Sequence, residues 1–159
     1  MKETERVLRR PMLDRLLQTG EPEPRTWSES VRVLKASLMR DIDWLLNTRR
    51  IAEPAPQALV ELNQSVYHYG LPDVTSLSAD SMETRRLLLR QVEECLRQFE
   101  PRLASVRVSE AESKNESSRQ LRFVVEGMLQ LDPVPEPIVF DTVLDSSSGH
   151  FNVSGSQHA

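Results

Sequence analysis

The chain has 159 residues, a length typical of one domain, and its 20 Lys and Arg against 24 Asp and Glu give a net charge of -4. This charge offers no long-range attraction to nucleic acid or to an anionic membrane, so we expect neither as a partner. No run of about 20 apolar residues could span a bilayer, and the first residues do not form a secretory signal. We therefore expect a cytoplasmic protein without direct membrane insertion.

The beginning of the chain differs in composition from the rest. Residues 1–25 are rich in charge, are interrupted by prolines and a glycine, and carry one short apolar cluster. We predict a flexible arm that either stays disordered or folds onto a partner protein. In the second case the anchors would be Leu13, Leu16 and Leu17. We predict one domain over residues 26–154 and a short tail over residues 155–159.

Three helices are predicted next from apolar residues at three- and four-residue spacing. Thr26 and Glu29 form a capping box before the first helix, which is about twenty residues long. A second helix is predicted from Leu59 to Tyr69, where Gly70 takes the left-handed conformation. The third begins near Asp80 or Ser81, and its inward residues are predicted to be Leu89, Val92, Leu96 and Phe99.

After Pro101, which stops the third helix, the apolar period changes to two. Ala104, Val106 and Val108 alternate with polar residues and predict a first strand. A polar loop, "EAESKNESS", separates it from a second strand, "IVFDTVL" predicts a third, and "DSSSGHFNV" predicts a turn and a short fourth. The chain is therefore predicted to be α+β, with three N-terminal helices packed on a small antiparallel sheet of three to four strands.

Residues for catalysis or metal binding are scarce. The single cysteine, Cys95, and the scattered His68, His150 and His158 form no ligand pair and no nucleophile with a base. We predict that Cys95 is a small buried apolar residue, and that the protein has no catalytic residues, no metal and no cofactor. A pair of carboxylates, as in glycosidases, is the remaining enzymatic option, but Arg102 would keep Glu100 ionised and make it a poor general acid.

Four stretches suggest a family when they are taken together. These stretches are "DWLLNTRR" (Asp43–Arg50), "YGLPD" (Tyr69–Asp73), "FEPRL" (Phe99–Leu103) and "EPIVFDTVLDSSSGHFNV" (Glu136–Val153). In sequence and order they resemble TssE, the lysozyme-like baseplate subunit of bacterial type VI secretion systems, which is related to a small wedge protein of T-even phage baseplates. The resemblance implies a non-enzymatic baseplate component, located in the cytoplasm at the inner-membrane-attached baseplate. It implies two kinds of partner, the subunits of the contractile sheath and the other wedge proteins.

The resemblance also assigns Glu100, Pro101 and Arg102 to the family's Glu-Pro-Arg motif, which is linked to docking of the sheath. From the residues alone, Glu100 and Arg102 could equally pair with each other or cap the local backbone, and we expect this pair to face solvent. The strand beside the motif, with Leu103, Val106 and Val108, could accept strands from sheath subunits at an open edge or be covered by the chain's own loops.

A second function class stays open at this point. The lysozyme-like label suggests a peptidoglycan hydrolase, which would have to act in the periplasm. The lack of an export signal argues against this activity. Clearing of peptidoglycan by the purified protein would distinguish the two hypotheses.

Overall fold

The computed structural model describes residues 7–17, 22–53, 55–74, 81–111 and 120–155. The helices in this part of the chain are α1 (Met12–Leu17), α2 (Trp27–Asn47), α3 (Val60–Asn63) and α4 (Met82–Phe99), and a 3-10 turn covers Val66–His68. The strands are β1 (Leu103–Glu110), β2 (Gln120–Leu129), β3 (Glu136–Asp145) and β4 (His150–Gly155). The chain divides within α2 into two compact units, Met1–Asp41 and Ile42–Ala159.

The four strands form one antiparallel sheet in the order β1-β2-β3-β4. In its middle, Val125 of β2 lies opposite Val108 of β1 and Phe140 of β3. One face of the sheet is buried: its largest side chains include Phe123 and Phe151, whose rings meet edge to face with centroids 5.9 Å apart. The predicted α+β class and the four antiparallel strands are confirmed.

A β-bulge interrupts β1 between Ala104 and Arg107, and Ser105 within it has a φ of 53°. The bulge allows Leu103 and Val106, three positions apart, to be buried together. Ala104 lies opposite Met128, on the other face of the sheet from Leu103 and Leu129. The predicted alternation of Ala104, Val106 and Val108 on one face is therefore wrong at Ala104, because the extra residue reverses the faces.

The two long helices agree with the sequence pattern. The N–H of Glu29 donates to Oγ1 of Thr26 at 3.2 Å, which caps the start of α2, and the Glu29 carboxylate accepts the N–H of Arg25 at 2.8 Å. Ser81 caps α4 by accepting the N–H of Thr84 at 3.5 Å. The other predicted cap, Asp80, lies outside the described residues. The buried residues of α4 are Leu88, Val92, Cys95 and Leu96, so Leu88 rather than Leu89 faces inward.

The predicted second helix is wrong in extent, because only the four residues of α3 and the short 3-10 turn are helical between Leu59 and Tyr69. Ser65 explains the break between them. Its hydroxyl donates to the Leu62 carbonyl at 2.8 Å and accepts the N–H of Tyr67 at 3.2 Å, so it competes with the helical backbone bonds. Gly70 does adopt a left-handed conformation, with φ of 97°.

Candidate partner-docking sites

The corner between α4 and β1 consists of Glu100, Pro101 and Arg102. The N–H of Leu103 donates to the Glu100 carbonyl at 3.1 Å and closes a turn, in which Pro101 holds the second position with its fixed φ. The Arg102 carbonyl accepts the N–H of Gln130 at 2.8 Å, which joins the corner to the chain beyond β2. The backbone therefore fixes the corner on both sides.

The two charged side chains of this corner bind each other. Nε and Nη2 of Arg102 donate to the two carboxylate oxygens of Glu100 at 2.6 and 2.5 Å, and the Arg102 N–H donates to the same carboxylate at 3.2 Å. Glu100 is only 5% exposed, whereas the Arg102 side chain is 28% exposed. The expectation of a solvent-facing pair is thus wrong for Glu100, because the turn directs its carboxylate inward. The corner presents the guanidinium of Arg102, held in place by a buried carboxylate.

The outer edge of β1 is bonded to α4. The Val106 carbonyl accepts Nη2 of Arg97 at 3.1 Å, and the Val108 N–H donates to Oε2 of Glu93 at 3.1 Å. Glu93 and Arg97 form an ion pair with each other at 2.6 Å. Two of the backbone groups that would bind an incoming strand therefore have partners within the chain. Docking of a strand at Leu103, Val106 and Val108 stays a prediction.

The opposite edge of the sheet, on β4, is capped by one residue that the sequence analysis did not single out. The side-chain amide of Asn47 donates to the Phe151 carbonyl at 2.9 Å and accepts the Phe151 N–H at 2.9 Å. It makes the two bonds that a neighbouring strand would make. The only signal in the sequence is a polar residue directly after the last apolar residues of the long helix.

In the described part of the arm, a charged side chain is buried while the apolar side chains are exposed. Asp14 of α1 is buried and ion-paired with Arg40 of α2, and the guanidinium of Arg10 donates to the Pro22 carbonyl at 2.8 Å. The apolar side chains of α1 are exposed instead, and they are Met12, Leu13, Leu16 and Leu17. The predicted anchor residues thus lie on an open apolar surface. The boundaries of the arm, the domain and the tail stay predictions, and residues 1–6, 18–21 and 156–159 lie outside the described part.

The thiol of Cys95 is buried, as predicted, and contacts the Gly70 carbonyl at 3.5 Å. Burial raises its pKa to about 11, so the thiol is protonated at neutral pH and is a poor nucleophile. Within the described ranges, no group of three His, Cys, Asp or Glu is arranged to hold a metal ion. The same ranges contain no helix with the length and apolar character needed to cross a membrane.

A family model described as baseplate wedge protein gp25 matches residues 32–134, which is more than half of the chain. A comparison with curated proteins finds no match. The matched range includes most of α2, the Glu100–Arg102 corner and the paired strands β1 and β2. The resemblance stated from the sequence is confirmed at the level of the family. The chain belongs to the baseplate wedge protein gp25 family.

Proposed function

We propose that the protein is a structural subunit of a type VI secretion baseplate, where it joins the wedge to the contractile sheath and starts sheath polymerisation. The matched family is a family of baseplate wedge proteins, and this supports a structural role. The same match gives no support to the alternative of a peptidoglycan hydrolase. The proposal that the protein joins the wedge to the sheath depends on one observation: the guanidinium of Arg102 is held by the buried carboxylate of Glu100.

Arg102 is the residue that we propose to contact the sheath, and Glu100 is its positioning residue. Because two nitrogens of the guanidinium are held by one carboxylate, Arg102 loses little further conformational freedom when a partner binds. A planar guanidinium can also bind carboxylates or carbonyls with directed hydrogen bonds, which an ammonium group cannot reproduce. Pro101 is exposed at the tip of the turn and fixes the direction of both neighbours.

Strand addition beside this corner is the proposed mode of sheath binding. A sheath strand that adds to β1 would supply peptide groups to Val106 and Val108, replacing the side chains of Arg97 and Glu93. The side chains of Glu93 and Arg97 bond to the edge of β1, but they do not add a strand to the sheet. The exchange would replace two charge-assisted side-chain bonds with backbone bonds and would leave Glu93 and Arg97 paired with each other.

The exposed apolar side chains of α1 are the proposed anchor for another wedge protein. Leu13, Leu16 and Leu17 lie on a helix whose polar Asp14 is turned inward to Arg40, so the apolar side is available to a partner. We also propose, from the resemblance to the type VI baseplate subunit, that the protein lies in the cytoplasm within a baseplate attached to the inner membrane.

The experiment that tests sheath docking is fluorescence imaging of labelled sheath in cells that carry Arg102→Ala or Arg102→Lys. We expect few or no long sheaths in both variants, because neither restores the planar contact. Asp73→Ala is the matched control, since it removes one partner of the exposed Arg49–Asp73 ion pair. Circular dichroism of each purified variant establishes that it folds. Normal sheath numbers and lengths with Arg102→Ala would contradict the docking role.

A further inference from the structure

A small groove lies beside the end of α2, between residues 48–51 and 66–69. Its volume is about 250 Å³, and its walls are mainly apolar; the lining residues are Thr48, Arg49, Arg50, Ile51, Val66, Tyr67 and Tyr69. Val66 is 87% exposed and Ile51 is 55% exposed at its rim. The groove is smaller than the sites that hold a drug-sized molecule, and its size suits one large apolar side chain.

The walls of this groove are held rigidly. Leu71 accepts the N–H of Arg50 and donates its own N–H to the Thr48 carbonyl, both at 2.9 Å. The hydroxyl of Tyr67 donates to the Glu53 carbonyl at 3.0 Å, and the ring of Tyr69 packs edge to face on Phe99 at 5.3 Å. A groove that is already formed requires little ordering when a ligand enters it.

The charge at the groove is positive, although the chain as a whole carries a net charge of -4. Among the described residues that line it, two are arginines and none is acidic. Arg49 is paired with Asp73 at 3.2 Å, whereas the guanidinium of Arg50 has no hydrogen bond or ion pair within the described part of the chain. An apolar recess that Arg50 helps to line complements an apolar side chain that is followed or preceded by a carboxylate, which the Arg50 guanidinium can bind.

We propose that this groove binds a short segment of a partner protein that carries a large apolar residue next to an Asp or Glu. The apolar side chain fills the recess beside Val66 and Ile51, and the carboxylate binds Arg50. A recess for one side chain buries too little area to hold two copies of the chain together, because stable interfaces bury about 1,200–2,000 Å². The groove is therefore one anchor point for an extended acidic and apolar segment. This inference does not depend on the proposed role in sheath assembly.

The test starts with selection of short random peptides displayed on phage against the full chain. We expect the selected peptides to share an apolar residue next to an acidic one. The selected peptide is then synthesised with a fluorescent label, and its affinity is measured by anisotropy. We expect Arg50→Glu and Val66→Ser each to weaken binding by about ten-fold or more, and a peptide with Lys in place of its acidic residue to regain affinity for Arg50→Glu.

Two matched variants serve as controls. Arg107→Glu makes the same change of charge on an exposed part of β1, and Val134→Ser removes an apolar side chain that is 68% exposed elsewhere. Both should leave peptide affinity unchanged. The proposal would be overturned if the selected peptides shared no apolar residue next to an acidic one. It would also be overturned if Arg50→Glu and the unchanged chain bound the selected peptide with equal affinity. If the chain associates with itself and Val66→Ser abolishes this association, the occupant of the groove is a second copy of the chain, and the proposal is wrong.

Discussion

Two junctions, each following one of the long helices, are fixed by different physical means. The junction after α2 is held by two backbone hydrogen bonds of Leu71, one to Thr48 and one from Arg50. Gly70 is placed so that a Cβ atom would lie 2.1 Å from the Thr48 carbonyl oxygen. The corner after α4 is fixed by a turn and by the side-chain pair of Glu100 and Arg102. The first junction is sensitive to added atoms, whereas the second is sensitive to lost charge.

The largest effect is expected for Gly70→Ala at the first junction. The new methyl group would collide with the backbone of Thr48, and alanine is disfavoured at a φ of 97°. We expect the free energy of unfolding to fall by about 3–4 kcal/mol. Urea denaturation measures this loss.

Gly127→Ala is the matched control for this variant. A Cβ at Gly127 would meet its nearest atom, the Ala104 carbonyl oxygen, at 3.4 Å, which is an ordinary contact. We expect a change within about 1 kcal/mol. If both glycine variants unfold at the same urea concentration, the close approach of Gly70 to Thr48 is not what fixes the junction.

The second effect concerns Cys95, which contacts the Gly70 carbonyl at the first junction. Burial raises the pKa of the thiol from 9.0 to about 11, so the unfolded chain ionises at lower pH than the folded protein. The contribution of Cys95 is therefore complete below pH 9 and is lost as the pH rises toward 11. The full loss is about 2–3 kcal/mol.

The pH dependence can be isolated by comparing the unchanged chain with Cys95→Ala. Tyrosines and lysines also titrate above pH 9, but they are common to both proteins. Urea denaturation at several pH values from 8 to 10.5 should show that the difference in stability between the two proteins shrinks as the pH rises. A constant difference would mean that the thiol is not desolvated.

The third effect is expected at the corner, where Glu100→Ala removes the buried partner of Arg102. We expect stability to fall by about 1–2 kcal/mol, because the guanidinium loses its bonds to Glu100 but still reaches water. Arg102→Ala and the double variant complete a thermodynamic cycle. The double variant should lose less stability than the sum of the two single losses. Strict additivity would show that the pair does not fix the corner.

The smallest effect is expected for Asp73→Ala. Its ion pair with Arg49 spans 3.2 Å, and both side chains are about half exposed, so solvent screens the attraction. We expect a change of stability below about 0.5 kcal/mol. Thermal unfolding at low and high salt tests this value. A loss as large as that of Glu100→Ala would show that burial does not distinguish the two pairs.

The sequence pattern predicted the class of fold, the start of α4 near Asp80 or Ser81 and the left-handed Gly70, because each depends on neighbouring residues. It did not predict the break after α3, where the bonds of one hydroxyl outweigh the apolar spacing. At the candidate site it named Glu100 and Arg102 and kept their mutual pairing open. Their burial could not be deduced, since it depends on how the turn is oriented.

Contacts between distant residues were also beyond the sequence pattern. Asn47 and Phe151 are 104 positions apart, and nothing local indicates that one amide will cap the edge of the last strand. The pairing of Asp14 with Arg40 spans 26 positions, and it decides which side of α1 is exposed. An amphipathic pattern on so short a helix does not reveal this orientation.

The bulge at Ser105 acts as a phase shift in the sheet. After the bulge, the residues of β1 alternate between the two faces in one register, in which Val108 lies opposite Val125 and Glu110 opposite Phe123. Before the bulge, Leu103 and Ala104 alternate in a register that is shifted by one residue. If β1 kept Ser105 but paired with β2 as a continuous ladder, Leu103 would move to the other face of the sheet, or the preceding corner would slip by one residue. One serine in a strained conformation therefore sets the direction in which Arg102 leaves the sheet.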